Sequence, residues 1–272
     1  MTNPPTTHSS AYKAKLLPTI AKGLRAVWDN LGLAVAWSIT FCLVLLIPVG
    51  LLKLMPLALN PLLRYSIFSL AAGLLLAPLL VGGSDAVRRR LNGELIGYSD
   101  LFTALKLLLL PALKLGLIHS AAAVILPIAL YVYSQSRSSY MLIAAIPALY
   151  LTCLWAMMAQ FQFVLLASQE GGVFDDPERK AQRGSIAVVR RSLFIVMGKP
   201  LFCGGLLLIT LLIATALILS GVGMVLGLFP LLLFLSETAT RELLMEFGII
   251  PVPQEEAADP GFVVDLKEVL PS

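Results

Sequence analysis

The sequence predicts an all-α membrane protein, a polytopic bundle of six transmembrane helices, and three observations predict it. Apolar side chains make up 58% of its 272 residues and charged ones 13%, against roughly 25% charged in soluble chains. Uninterrupted apolar runs recur at about 20 residues, the length that crosses a ~30 Å hydrocarbon core. Lys and Arg then fall almost entirely in alternate connections, as the positive-inside rule requires of short cytoplasmic loops.

Residues 1–10, rich in Pro, Thr and Ser and holding His8, read as a disordered tail. Next, Leu16, Ile20, Leu24 and Val27 recur at helical spacing among Lys13, Lys15, Lys22 and Arg25, the pattern of an amphipathic helix lying in the membrane interface. The basic leader is too long for an ordinary secretory signal, so the first apolar run is expected to be an uncleaved anchor. Five spans follow directly, at Leu31–Leu52, Leu62–Gly82, Ala112–Tyr133, Tyr140–Leu166 and Leu201–Leu219. The apolar stretch then continues too far for one crossing. Ser220, Gly221, Val222 and Gly223 supply a break, and Met224–Leu244 makes a sixth span.

Counted over this arrangement, one side of the membrane holds 16 Lys and Arg and the other 3, with Lys114 inside the third span. Both termini are therefore placed in the cytoplasm. Two more inner segments resemble the first amphipathic one: Leu101, Leu105 and Leu108 before span three, ending near Pro111, and Ile186, Val189, Leu193 and Val196 before span five, with Asp176 and Pro177 as its cap. Three cytoplasmic interfacial helices, each followed by a two-span hairpin, make a threefold repeat. The competing account is that basic amphipathic flanks are general in short-looped membrane proteins. The membrane domain runs over 11–246, and 247–272 form an acidic cytoplasmic tail whose Phe262, Val263, Leu266, Val269 and Leu270 stripe can fold back or dock a membrane-protein partner.

Motifs of chemistry are absent: no phosphate loop, dinucleotide fingerprint, paired-histidine zinc helix or serine elbow occurs. Two histidines are too few for a metal site, and Cys42, Cys153 and Cys203 lie within apolar runs as small hydrophobes. The expectation is no enzyme, no cofactor and no metal. Polar residues inside spans carry more weight, because ionisable groups in hydrocarbon are costly and face protein or water. His119, Gln160, Gln162, Glu237 and Arg241 all fall in the cytoplasmic third and form a candidate polar pocket. The structural alternatives are an i, i+4 ion pair between Glu237 and Arg241, interhelical hydrogen bonds for His119 and the glutamines, and a Lys114 that snorkels to headgroups. Proline within five spans (Pro48, Pro78, Pro127, Pro147, Pro230) can kink them. Arg88, Arg89, Arg90, Arg190 and Arg191 flank the spans and suit anionic lipid headgroups, which explains the basic loops without nucleic acid.

Asn30, Trp37 and Pro48 in the first span, with the run Arg-Arg-Arg-Leu-Asn-Gly-Glu-Leu-Ile-Gly-Tyr-Ser-Asp-Leu-Phe that begins at Arg88, resemble the YesL-like family of bacterial integral membrane proteins. The likeness covers roughly Gly23 to Glu246 and leaves the acidic tail outside. It implies a bacterial plasma-membrane location and a supporting role in carbohydrate uptake, with no reaction attached. Two functions follow as expectations: a non-enzymatic accessory or scaffold protein, or a transport subunit built around the polar pocket.

Overall fold

The computed structural model describes residues 12–56, 59–135, 139–170, 184–221, 223 and 227–252. Among these it is entirely helical: α1 (Leu16–Trp28), α2 (Leu31–Leu54), α3 (Pro61–Leu91), α4 (Tyr98–Gln135), α5 (Ser139–Glu170), α6 (Ser185–Gly198), α7 (Pro200–Leu219) and α8 (Leu228–Glu246). Residues 1–11 and 253–272, Asp176 and Pro177, and the basic residues Arg179, Lys180 and Arg183 lie outside the described residues. Five helices, α2, α3, α4, α5 and α7, are long and apolar enough to cross a membrane, which marks the chain as a membrane protein.

Local sequence sets the helix ends. Asn60 accepts a hydrogen bond from Leu62 N at 2.9 Å and Pro61 occupies the first position, so α3 starts at a nitrogen that has no N–H in need of an acceptor. The same helix stops at Gly93, whose φ of +85° places it in the left-handed region, while Glu94 N bonds back to Arg89 O at 3.1 Å. Gly248 ends α8 in the same way, with φ +68° and a bond from Ile249 N to Leu244 O at 2.9 Å. Between α7 and α8, Gly221 has φ +65° and Ser220 Oγ receives Gly223 N at 3.0 Å, so the expected break is a turn.

Three expectations change. The segment before span three is no separate helix, because α4 runs unbroken from Tyr98 through Pro111 to Gln135. The carbonyl of Pro111 is instead held from outside by Ser185 Oγ at 3.0 Å, tying α6 to α4. The α1 stripe also divides: Ile20 is buried, and Leu16 and Val27 pack against the same core, whereas Leu24 joins Leu17 and Trp28 on the exposed side. Finally, α8 starts at Leu228 behind a Gly227 cap and is the least peripheral helix of all.

Fourteen of the nineteen α8 residues are buried. Leu231, Leu235, Ala239 and Leu243 form one of its faces and join a core of α1, α4, α5, α6 and α7 residues that includes Phe161, Val188 and Leu206. Leu233 and Phe234 join a second core with Trp37 and Phe41 of α2 and Leu79, Ala86 and Val87 of α3. The helix thus divides two apolar clusters and is covered by both. Elsewhere the tightest crossing is α3 on α4. Ser69, Gly73 and Ala77, spaced by four on α3, meet Gly116 and Ser120, which continue the same spacing from Ala112 on α4. A Cβ on Gly116 would sit 2.5 Å from Gly73 O, and Ser120 Oγ donates across the crossing to Ser69 O at 3.0 Å. Small residues let membrane helices approach in this manner.

Candidate functional site

Most of the polar structure gathers at one end of the bundle, where α1, the start of α2, the ends of α3 and α8 and the α6–α7 junction meet. Glu242 of α8 accepts from Lys22 Nζ at 2.7 Å and from the Tyr12 hydroxyl. One turn later, Glu246 pairs with Lys199 and accepts Ala14 N at 3.1 Å. These contacts clamp α1 and the α6–α7 corner onto α8. Charge-assisted bonds of this kind contribute about 1.5–3 kcal/mol when half buried. The positions were legible as charges in the sequence, but their partners are more than 200 residues apart for Glu242 and reachable only through the fold.

The five candidate pocket residues separate into two groups. His119 of α4 stacks on Phe163 with ring centroids 4.8 Å apart and meets Trp155 edge-on at 5.3 Å. Gln162 is completely buried and donates to Ser192 Oγ of α6 at 3.3 Å, linking α5 and α6. Its Oε1, His119 Nε2 and both polar atoms of Gln160 are buried with no hydrogen-bond partner among the described residues.

Glu237 and Arg241 belong to the second group, on the α3 side of α8. Glu237 is 2% exposed, and its Oε2 makes no hydrogen bond. The charges that act on it are Arg241, Arg88 and Asp85. The expected Glu237–Arg241 ion pair does not form: Arg241 reaches outward instead, donating to Leu91 O at 3.4 Å and to Asn92 Oδ1, which fastens α8 to the end of α3. Its guanidinium finds acceptors at the boundary, while the glutamate stays buried.

Of the arginines assigned to headgroups, Arg88 is the correction. It is 8% exposed, pairs with Asp85 one turn earlier and donates to Ala167 O of α5 at 3.2 Å, so it links helices inside the bundle. The length of α3 explains this, since the helix continues two turns past its apolar stretch while packed on α5 and α8. Arg89 pairs with Glu94 at 2.7 Å near the surface. Arg190 lies over the Phe194 ring at 5.6 Å on the outer face of α6, and Arg191 is half-buried. Lys114 is exposed, as snorkelling requires.

Arg90 marks a feature the sequence did not reveal. Its Nε donates to Asn30 Oδ1 at 2.5 Å, bringing together the two stretches that carried the family resemblance. Beside this bond opens a cleft of about 430 Å³ between the α1–α2 junction and the α3–α4 connection, lined by Asp29, Leu31, Gly32, Leu95 and Arg90 among others. None of His119, Gln160, Gln162, Glu237 or Arg241 lines it. Among the described residues no group of three or more His, Cys, Asp or Glu converges as a metal site. The chain matches no family model, no curated protein and no solved structure.

Proposed function

We propose that the chain is a non-enzymatic accessory protein of a bacterial plasma membrane, with six spans, cytoplasmic termini and a basic cytoplasmic face that meets anionic lipid and a partner protein. In this reading α8 is the sixth span. Its 19 residues rise about 28 Å at 1.5 Å each, and its last turn returns to the start of α7 through the Lys199–Glu246 pair. The 16-to-3 distribution of basic residues supports the sidedness. The YesL-like resemblance rests on its motif residues, and a supporting role in carbohydrate uptake follows from it alone. A threefold repeat is harder to sustain, because only α1 and α6 stand as separate helices before their hairpins while the middle unit is fused into α4.

The observation that carries the accessory reading is the placement of both the cleft and the cross-helix ion pairs at the basic end, where α1, α3, α6 and α8 are fastened into one surface. Such a surface presents fixed side chains to another protein. Affinity capture of the full chain from mild detergent, with and without the residues after Pro251, tests it. A partner retained by the full chain and lost on truncation is the expected result; capture of lipid and detergent alone sinks the proposal.

One observation favours the second reading, a transport subunit. Glu237 Oε2, Ser84 Oγ and the Gln160 amide are buried without partners, and buried polar groups normally have them. Solute uptake by cells carrying Glu237→Ala and Gln160→Ala, together with His119→Ala, decides between the two. Unaltered uptake with a retained partner leaves the accessory role, and lost uptake with normal protein levels replaces it.

A further inference from the structure

We infer that the cleft between the α1–α2 junction and the α3–α4 connection is a headgroup site for a zwitterionic aminophospholipid, with Arg90 facing the phosphate and Asp29 facing the primary ammonium. The cleft's volume of about 430 Å³ falls in the ~300–1,000 Å³ range of small-molecule sites. Its wall carries one cation and one anion, and neither is spent on the other. Arg90 gives its Nε to Asn30 and its Nη1 to Glu94 O at 3.4 Å, leaving Nη2 uncommitted among the described residues. Asp29 is exposed and makes no side-chain bond there. A ligand with a single negative charge satisfies Arg90 and is repelled by Asp29. One that carries both charges a few bonds apart satisfies both.

The rim selects a lipid over a free solute. Leu31 is 46% exposed and Leu95 91%, and Trp28, the residue before Asp29, is 74% exposed. Exposed leucines and tryptophan at the ends of apolar helices are placed where acyl chains meet headgroups. Asn30 holds the arrangement open: at the helix start it is the residue type that would cap α2, yet its Oδ1 receives Arg90 and its Nδ2 donates to Ala26 O at 2.8 Å, so it makes no cap. The first-turn amides of α2 on the same wall add neutral donors. Gly32 has open space where a Cβ would stand, so the wall is bare backbone at that point. The inference needs only that this end of the bundle lies at a bilayer surface, in either leaflet, and stands independently of the accessory role.

Native mass spectrometry of the full chain, equilibrated in detergent with equal amounts of phosphatidylethanolamine, phosphatidylcholine and phosphatidylglycerol, tests it. The wild type should retain the ethanolamine lipid about fivefold over the glycerol lipid, the ratio that one partly exposed charge pair supplies. Phosphatidylcholine should also be disfavoured, since its methylated ammonium has no proton to donate. Asp29→Asn, a change at an exposed position, should bring the ethanolamine and glycerol lipids to parity. Arg90→Gln should reduce retention of all three, and Arg90→Lys should restore part of it, which separates lost charge from a disturbed fold. Retention in the proportions supplied, or an unchanged ethanolamine preference in Asp29→Asn, overturns the site. Displacement of the lipid by soluble phosphoethanolamine at equal concentration overturns the lipid as its occupant.

Discussion

Helices α7 and α8 are neighbours in sequence, antiparallel in space and similar in length, yet they occupy opposite situations. The more apolar α7 has three buried residues, Phe202, Cys203 and Leu206, and exposes Leu208, Leu211, Leu212 and Ile218. Its partner α8 carries Glu237, Thr238, Thr240 and Glu242 and buries every one of them. In water the order would be reversed. In a bilayer, Leu gains little by leaving lipid for protein, whereas a carboxylate or hydroxyl must be sheltered by helices that offer polar partners or close packing. Burial therefore follows polarity along the third hairpin, where the more hydrophobic helix is the outer one.

The sharpest way to break the comparison is to put a charge on the outer helix. Leu212→Lys, mid-way along α7 and 61% exposed, should cost about 3 kcal/mol of membrane insertion, read as lost integration in a glycosylation-mapping assay. Normal insertion would mean that the exposed face of α7 meets water. Close packing inside the bundle comes next. Gly116→Leu must push α3 from α4, because a Cβ there lies 2.5 Å from a backbone oxygen, and about 2–3 kcal/mol of stability should be lost. A melting temperature unchanged in detergent would dissolve the crossing.

A smaller loss is expected where α8 is polar and paired. Glu242→Ala removes the acceptor shared by Lys22 and Tyr12 and should cost about 1.5–2 kcal/mol. In a double-mutant cycle with Lys22→Ala the two effects should be less than additive. Full additivity would leave the clamp without energetic meaning. The smallest effect belongs to Glu237→Gln. Its carboxyl is buried without a hydrogen bond, so the neutral isostere should alter stability by less than about 1 kcal/mol, with the sign toward stabilisation. A larger loss on thermal melting would reveal a partner that holds the carboxylate.

Much of the fold was legible in the sequence. The five apolar helices, the basic ends, the turn at Ser220–Gly223 and the exposure of Lys114 all follow from local composition and turn chemistry. The Ser69–Gly73–Ala77 and Ala112–Gly116–Ser120 series was also present as a spacing of small residues. Gly223 packs back on Leu217 of α7, and Gly227 caps α8. Pro111 misled for a definable reason. Proline removes one amide donor and leaves the carbonyl four residues earlier without it, a loss that a helix packed among its neighbours can absorb without ending; α4 continues through Pro111, whose own carbonyl receives Ser185 Oγ from α6.

The candidate site was less legible. Gln162 turns to Ser192 of α6, whereas Arg241 turns to Leu91 and Asn92 at the end of α3, so the five residues do not converge on one pocket. Arg88 shows the difficulty most clearly: three consecutive arginines read alike, and helical rotation sends one to Ala167 inside the bundle, one to Glu94 at the surface and one to Asn30 beside the cleft. Periodicity places each at about 100° from the next. It does not say which helix stands in each direction.

By itself the sequence determined that the chain is helical and membrane-embedded, because apolar length and the need to satisfy backbone groups in lipid leave no other solution. Tertiary structure decided which helix is central, which charges pair and where a cleft opens. Those outcomes depend on contacts between residues 60 to 230 positions apart, and no local pattern encodes them.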